Sequence, residues 1–431
     1  MKRLIKRLLP TQLLKPLLPI YHYLRAVFAN VICFFPARKL KVIGVTGTNG
    51  KTTVVRYLAE IYKASGLKVG YSTSVDTVID DRVVSVEKTS SPSPTTTRDA
   101  FAMQKLMKKM KQAKVDVVVL EVTSHALAQY RTLGIPIDTA VLTNISPDHL
   151  DYHQTMKKYL AAKAKLFESA KRKAIINVDD EQADYFTQKT KADVLTFGES
   201  QNAKTKLTGY SDNGRSSSLK IKNDGIGISA KLNLIGKFNA LNALAASAAA
   251  FSDDVQPNAI KQGLESLHGI PGRMEEIDTN KDFRMIIDYA HSPEAFKRVF
   301  SSVKESTKGR ILAVFGGAAQ HDFGGLGEEA GKQADVIIVT DDEPEGMDPE
   351  EIRKTIIKSA TSNARGNLEI HEIPNRREGI KKAVTEAKTG DLILLLCLGH
   401  QSYRRVGDKK IQWSDREEAA KILEEVQQAG N

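Results

Sequence analysis

The chain has 431 residues, too many for one compact core and suited to two or three domains. Its net charge of +11 is unevenly spread: residues 1–40 hold eight cations (Lys2, Arg3, Lys6, Arg7, Lys15, Arg25, Arg38, Lys39) and no acid, so the other 391 residues are close to balance. A basic nucleic-acid groove is therefore not implied, and two cysteines, Cys33 and Cys397, supply neither a disulfide framework nor zinc spacing, which suits a reducing cytoplasm.

In the first 40 residues Pro10, Pro16 and Pro19 interrupt the apolar run, and no small-residue cleavage site follows, which argues against a secretory signal. "IYHYLRAVFANVICFFP" offers about 16 largely apolar positions, short of the roughly 20 that a spanning helix needs. Two readings of residues 1–35 stay open: a helix packed on the body, or a basic amphipathic element resting on the inner, anionic face of a membrane.

From "LKVIGVTG" onward, β-branched runs alternate with helical spacing, the pattern of a mainly parallel α/β sheet. "KVIGVTG", "KVGYSTS", "VDVVVLEV", "TAVLTNI" and "KAIINVD" are predicted strands; "KTTVVRYLAEIYKASG" and "AFAMQKLMKKMKQAK" are predicted helices. Residues 204–235 change to alternating apolar positions, predicting antiparallel strands, and "GKFNALNALAASAAAFS" predicts an alanine-rich helix. "LHGIPGRMEE" marks a boundary, after which "RMIIDYA", "RILAVFGG", "ADVIIVTDD", "LEIHEI" and "DLILLLCLG" predict a smaller doubly wound domain. The expected domains are thus 1–40, 41–267 and 268–431.

"GVTGTNGKTT" joins a predicted strand to a predicted helix, where glycines let backbone amides wrap phosphate and the helix N-terminus favours anions. Lys51 would neutralise terminal phosphates and the Thr52 hydroxyl would ligate magnesium. The strict G-x-x-x-x-G-K-[ST] pattern is not met, because Val45 stands five positions before Gly50.

Nearly everything after residue 40 resembles the Mur ligase family, closest to its tripeptide-forming UDP-N-acetylmuramoyl-L-alanyl-D-glutamate ligases. The resemblance rests on "GVTGTNGKTT", "LEVTSHALAQYR", "TNISPDHLDYH", "YLAAKAKLF", "GKFNALNALAA", "GIPGRMEEI", "IIDYAHSPEA", "GHQSY" and "WSDREEA", in family order. It implies a central P-loop-type ATPase domain with a mainly parallel sheet and a smaller C-terminal Rossmann-like domain. It also implies an ATP- and Mg2+-dependent ligase of cytoplasmic peptidoglycan synthesis, joining UDP-MurNAc-L-Ala-D-Glu to a free amino acid through an acyl phosphate. Such chemistry demands charge neutralisation and positioning more than a protein nucleophile.

Residue by residue, the resemblance places nucleotide at Gly47, Thr48, Asn49, Gly50, Lys51, Thr52 and Thr53, with Asn239, Asn242, Arg273, Asp288 and His291. Magnesium falls to Thr52, Glu121, His149 and Lys163; Lys163 matches the lysine that many members carry as a carbamate, with Lys165 as the competing register. Lys51, His149 and Lys163 would be catalytic, and Thr96, Thr97, Ser124, Gln129 and Arg131 would hold the acyl substrate.

Two departures from the family bear on substrate. The family begins with a domain of about a hundred residues that grips the nucleotide sugar, whereas 40 residues precede the phosphate loop here; a lipid-linked acyl substrate is therefore a second expectation. The amino-acid pocket differs as well: where diaminopimelate-adding relatives carry an arginine and a "DNPR" motif, this sequence has His321 and Asp342, Glu343, Pro344, Glu345, and "GKGHE" becomes a stretch ending in Gln401. Acid in place of arginine opposes a distal carboxylate and favours lysine or another cationic diamino acid. The competing reading from a different class is a Mur-like nucleotide-binding partner or scaffold without ligation.

Overall fold

Every apolar run predicted as a strand is one in the computed structural model, which describes residues 17–84, 96–318, 322–344, 346–406 and 409–429. The chain is α/β, with mixed, mostly parallel sheets. Two compact units form: Met1–Gly209 with Leu219–Ala230 and Leu241–Leu267, and Tyr210–Ser218 with Lys231–Ala240 and His268–Asn431.

The larger sheet contains β1 (Lys41–Thr46), β2 (Val69–Ser72), β3 (Thr77–Ile79), β4 (Arg82–Val83), β5 (Val117–Glu121), β6 (Ile137–Leu142), β7 (Ala170–Asn177), β8 (Asp193–Gly198), β9 (Thr205–Asp212), β10 (Ser217–Asn223) and β11 (Ile226–Leu232). Their order is β11, β10, β9, β8, β7, β6, β1, β5, β2, β3, β4. Strands β2, β5, β1, β6, β7 and β8 run parallel, and β1 pairs Val45 with Glu121 on one side and Thr46 with Leu142 on the other. That register brings the carboxyl ends of β1, β2, β5 and β6 to one edge, where open α/β sheets present functional groups. Strands β1 and β5 are buried throughout except for Lys41, hence their continuous Val/Ile runs.

Helix Lys51–Ala64 follows β1 and buries nine residues, including Val54, Tyr57, Leu58 and Ile61. Helix Pro257–Ser266 crosses it at backbone distance: a Cβ on Gly263 would lie 2.3 Å from Ile61 Cα, so only glycine permits the approach.

In the second unit β12 (Glu275–Ile277), β13 (Arg284–Ile287), β14 (Ile311–Phe315), β15 (Val336–Val339), β16 (Glu369–Glu372) and β17 (Leu392–Leu395) form a sheet ordered β12, β13, β17, β14, β15, β16. All neighbours are parallel except β12 with β13. Successive residues alternate between two cores: Ile311, Ala313 and Phe315 in one, Leu312 and Val314 in the other, so helices cover both faces. A hairpin, β18 (Tyr403–Val406) with β19 (Lys409–Gln412), precedes the last helix, Asp415–Ala429. Neither β12 nor this hairpin is marked by an apolar run in the sequence, which explains why neither is predicted from it.

Candidate active site

The glycine loop after β1 gives way directly to helix Lys51–Ala64, with Gly50 in the left-handed region at φ 82°. A Cβ on Gly50 would lie 2.1 Å from Asn242 Oδ1, so glycine here serves both the turn and the close approach of Asn242. The loop is fastened to the segment after β6: Thr143 Oγ1 donates to Asn49 O (2.6 Å), Asn49 N donates to Asn144 Oδ1 (3.1 Å), and Thr48 N donates to Asn144 O (2.7 Å). Thr52 and Thr53 are buried in the first helical turn.

Lys51 Nζ caps the loop carbonyls of Gly47 (3.1 Å) and Thr48 (2.7 Å). From helix Met156–Ser169, Lys163 reaches the same place, its Nζ donating to Gly47 O at 2.6 Å, and only 2% of the residue is exposed. Lys165 instead lies over the Tyr130 ring at 4.3 Å, so of the two lysines Lys163 is the one at the loop. Burial first, then the neighbouring Lys51 charge, drives the Lys163 amine well below the ordinary lysine range. A neutral amine, or one converted to an anion, suits that position better than an ammonium.

Glu121, at the carboxyl end of β5, is buried, and its Oε2 accepts from Thr52 Oγ1 (2.9 Å) and from the Ser74 backbone N–H (2.9 Å). Oxygen donors of this kind suit a hard cation such as Mg2+, so the Thr52 and Glu121 pair fits magnesium. The buried Asn49 Nδ2, a donor with no hydrogen-bond partner among the described residues, fits an anion at the loop.

His149 adopts a left-handed φ of 52° at the start of helix Leu150–His153, a strained conformation for a non-glycine residue. Its ring packs edge-on against His125 (4.6 Å between centroids), and His153 completes the group. Burial pushes all three below the ordinary histidine range, His125 to about 3 and His153 to about 4. These imidazoles are neutral at pH 7, the form that can coordinate a metal.

The acyl-substrate candidates are neighbours. Thr97 Oγ1 donates to Glu121 O (3.0 Å), Arg131 donates to Thr97 O (2.6 Å) and to Gln129 Oε1 (2.7 Å), and Ser124 Oγ pairs with His153 Nε2 (3.0 Å). Thr96 is half-buried beside Thr97.

The second unit holds Asn239, Arg273, Asp288 and His291. Asp288, at the end of β13, spends each oxygen on a backbone N–H, from Met274 (2.7 Å) and Ala290 (2.7 Å), and burial raises it above the usual carboxylate range. Arg273 stacks over the Tyr289 ring at 4.7 Å, His291 Nδ1 lies 2.7 Å from Tyr289 O, and Asn239 Nδ2 donates to Ile235 O (2.8 Å).

Of the amino-acid candidates, His321 and Glu345 lie outside the described residues. Asp342 is buried after β15, and burial raises it to about 6 despite the charges of Arg376 and Arg404. Glu343 Oε1 accepts from the Arg405 backbone N–H (3.1 Å), and Gln401 is half-buried. Beneath them Arg376, fully buried, makes a two-pronged pair with Asp415 (2.6 and 2.8 Å), and Arg404 stacks on Trp413 at 4.8 Å. Sequence reasoning missed Ser74, Tyr159, whose hydroxyl meets Thr48 Oγ1 (2.9 Å), and Arg376. "YLAAKAKLF", "KVGYSTS" and "WSDREEA" already contain Tyr159, Ser74 and Asp415, whereas no motif marks Arg376.

Residues 45–250 match the Mur ligase middle domain, and residues 272–397 match the Mur ligase glutamate ligase domain. The UDP-N-acetylmuramoyl-L-alanyl-D-glutamate–2,6-diaminopimelate ligase 1 of Clostridium acetobutylicum is 35% identical over 396 residues, 91% of this chain and 80% of the relative. The chain belongs to the Mur ligase family. The corresponding diaminopimelate ligase of Aquifex aeolicus is 34% identical to this Mur ligase over 90% of the chain and 78% of its own length. A solved structure of such a diaminopimelate ligase superposes with a TM-score of 0.63 at 29% identity, covering 91% of this chain and 80% of that one. Folylpolyglutamate synthase from Mycobacterium tuberculosis, complexed with ADP, shares the fold (TM-score 0.73, 20% identity, 86% and 91% covered). As a Mur ligase the protein is an acid–amino-acid ligase.

Proposed function

We propose that this Mur ligase extends UDP-MurNAc-L-Ala-D-Glu by one diamino acid, with ATP as phosphoryl donor and Mg2+ as cofactor. The carrying observation is the convergence on one glycine loop of Lys51, the buried Lys163 and the Thr52–Glu121 oxygen pair. In this reading the first unit is a P-loop-type ATPase and the second is Rossmann-like, matching its doubly wound strand order.

A free carboxylate resists attack by an amine. Phosphorylation of the terminal D-glutamyl carboxylate by ATP makes an acyl phosphate, and the incoming amine then displaces inorganic phosphate through a tetrahedral intermediate. Thr52, Glu121 and the neutral His149 would hold magnesium, which would supply charge neutralisation on the phosphates. The loop amides and Lys51 orient the transferring group, while Thr97, Ser124, Gln129 and Arg131 hold the acyl chain. Lys163 is suited to carbamate formation: the neutral amine adds to CO2 and loses a proton. The resulting anion would attract the Lys51 ammonium and offer another oxygen ligand.

Lysine or ornithine is preferred over diaminopimelate, because the sequence has Glu345 at the position of the arginine in the "DNPR" motif, an acid where a distal carboxylate requires a cation. The test is a screen of amino acids with UDP-MurNAc-L-Ala-D-Glu, ATP and Mg2+, reading product mass and released phosphate. Product with lysine or ornithine is expected. Preferential use of diaminopimelate overturns the pocket argument, and phosphate release independent of every amino acid overturns ligation.

A further inference from the structure

Helix Leu18–Ile32 is amphipathic in the reverse sense. Its packed side is small and polar: Ala26, Ala29 and Asn30 are buried, Asn30 Nδ2 donates to Ala26 O and Leu133 O (2.8 Å each), and Arg25 pairs with Asp99 at 3.2 Å. A Cβ on Gly134 would lie 1.9 Å from Asn30 Oδ1, so the seat is close-fitting. The opposite side carries the large apolar residues: Ile20, Leu24, Val27 and Val31 recur at helical spacing, flanked by Tyr21, Phe28 and Ile32, and Leu24 and Phe28 are each 59% exposed. Phe34, just past the helix, is 88% exposed.

We propose that this face docks the ligase onto an anionic lipid bilayer, with the helix lying in the interface plane. A contiguous apolar face of this kind marks an interaction surface, and charge identifies the partner. The segment that bears it holds eight cations and no acid, including the exposed Arg38 and Lys39 beside the helix. An anionic surface complements that charge, whereas a second copy of the chain would bring like charges together. Spanning is excluded for this helix: 15 residues extend about 22 Å, against about 30 Å of hydrocarbon, and no described helix is long and apolar enough to cross a membrane. Tyr21 and Tyr23 suit the headgroup level.

The test is co-sedimentation of the full chain with phosphatidylcholine vesicles, with and without about 30% phosphatidylglycerol, an anionic content chosen to mimic a charged leaflet. Two variants accompany it: Ile20→Glu/Leu24→Glu/Val31→Glu and Arg38→Glu/Lys39→Glu. All five residues are exposed, so the fold and ligation of soluble substrate are expected to persist. Binding to the anionic vesicles is expected to fall at least about tenfold in the apolar variant, less in the charge variant, and to be released as salt shortens the screening length. Equal binding to both vesicle types overturns the anionic assignment, and no binding to either overturns the proposal. So does a concentration-dependent dimer in sedimentation velocity that the apolar variant dissolves while vesicle binding stays absent.

Discussion

The glycine loop and the acidic stretch 341–344 are both placed after parallel strands, β1 and β15, yet they are held in different ways. The loop is fixed by its backbone: Gly50 in the left-handed region, carbonyls capped by lysines, amides tied to Asn144. Around the acidic stretch the fixing is by charge, through the buried Arg376–Asp415 pair and the ion pair of Arg353 with Asp341. Backbone geometry leaves a local signature in sequence, whereas charge pairing across the fold does not. A substitution in the first region therefore strikes chemistry, and one in the second strikes stability and selectivity.

The largest effect that would sharpen this contrast is Asp415→Ala. It strands Arg376 as a buried, unpaired cation and is expected to cost about 3–5 kcal/mol, read as a drop in the urea midpoint. Stability unchanged by the substitution would break the comparison. Next, Lys163→Ala is expected to lower amino-acid-dependent phosphate release by about 10²–10³-fold with little change in the midpoint; loss of fold instead of rate would move Lys163 into the structural class. Asp342→Asn probes the buried carboxyl. Folded Asp342 holds its proton to about pH 6 and the unfolded chain releases it near 3.8, so the native state binds more protons in between and stability falls as pH rises through that window. The substitution is expected to flatten this slope, worth up to about 3 kcal/mol above pH 6 and vanishing toward pH 4, as followed by urea unfolding at each pH. Smallest is Lys165→Ala, where loss of a cation–π contact on Tyr130 is expected to change turnover less than about threefold; a loss matching that of Lys163→Ala would reverse the register.

Most strands of both sheets coincide with apolar runs that the sequence displays, though their order in the sheets does not follow from those runs, and the residues around the loop sit in contiguous blocks. Other partners were illegible because they lie far apart in the chain: Ser74 meets Glu121 across 47 residues, Thr48 meets Tyr159 across 111, and Arg376 meets Asp415 across 39. The N-terminal helix shows another limit. Its composition left packing and membrane contact open, and the structure shows why: Ala26, Ala29 and Asn30 suffice for packing, leaving the large apolar residues outside.

The Arg376–Asp415 pair also has a bearing on how the chain is made. Arg376 is committed to the interior of the second unit, but its counter-charge arrives only at the start of the last helix. During synthesis the sheet β13–β17 can be complete while that cation still lacks its partner, so the final cooperative closure must wait until helix Asp415–Ala429 has emerged. A nascent chain stalled short of Asp415 would carry every strand of this sheet and still present an open, protease-sensitive core.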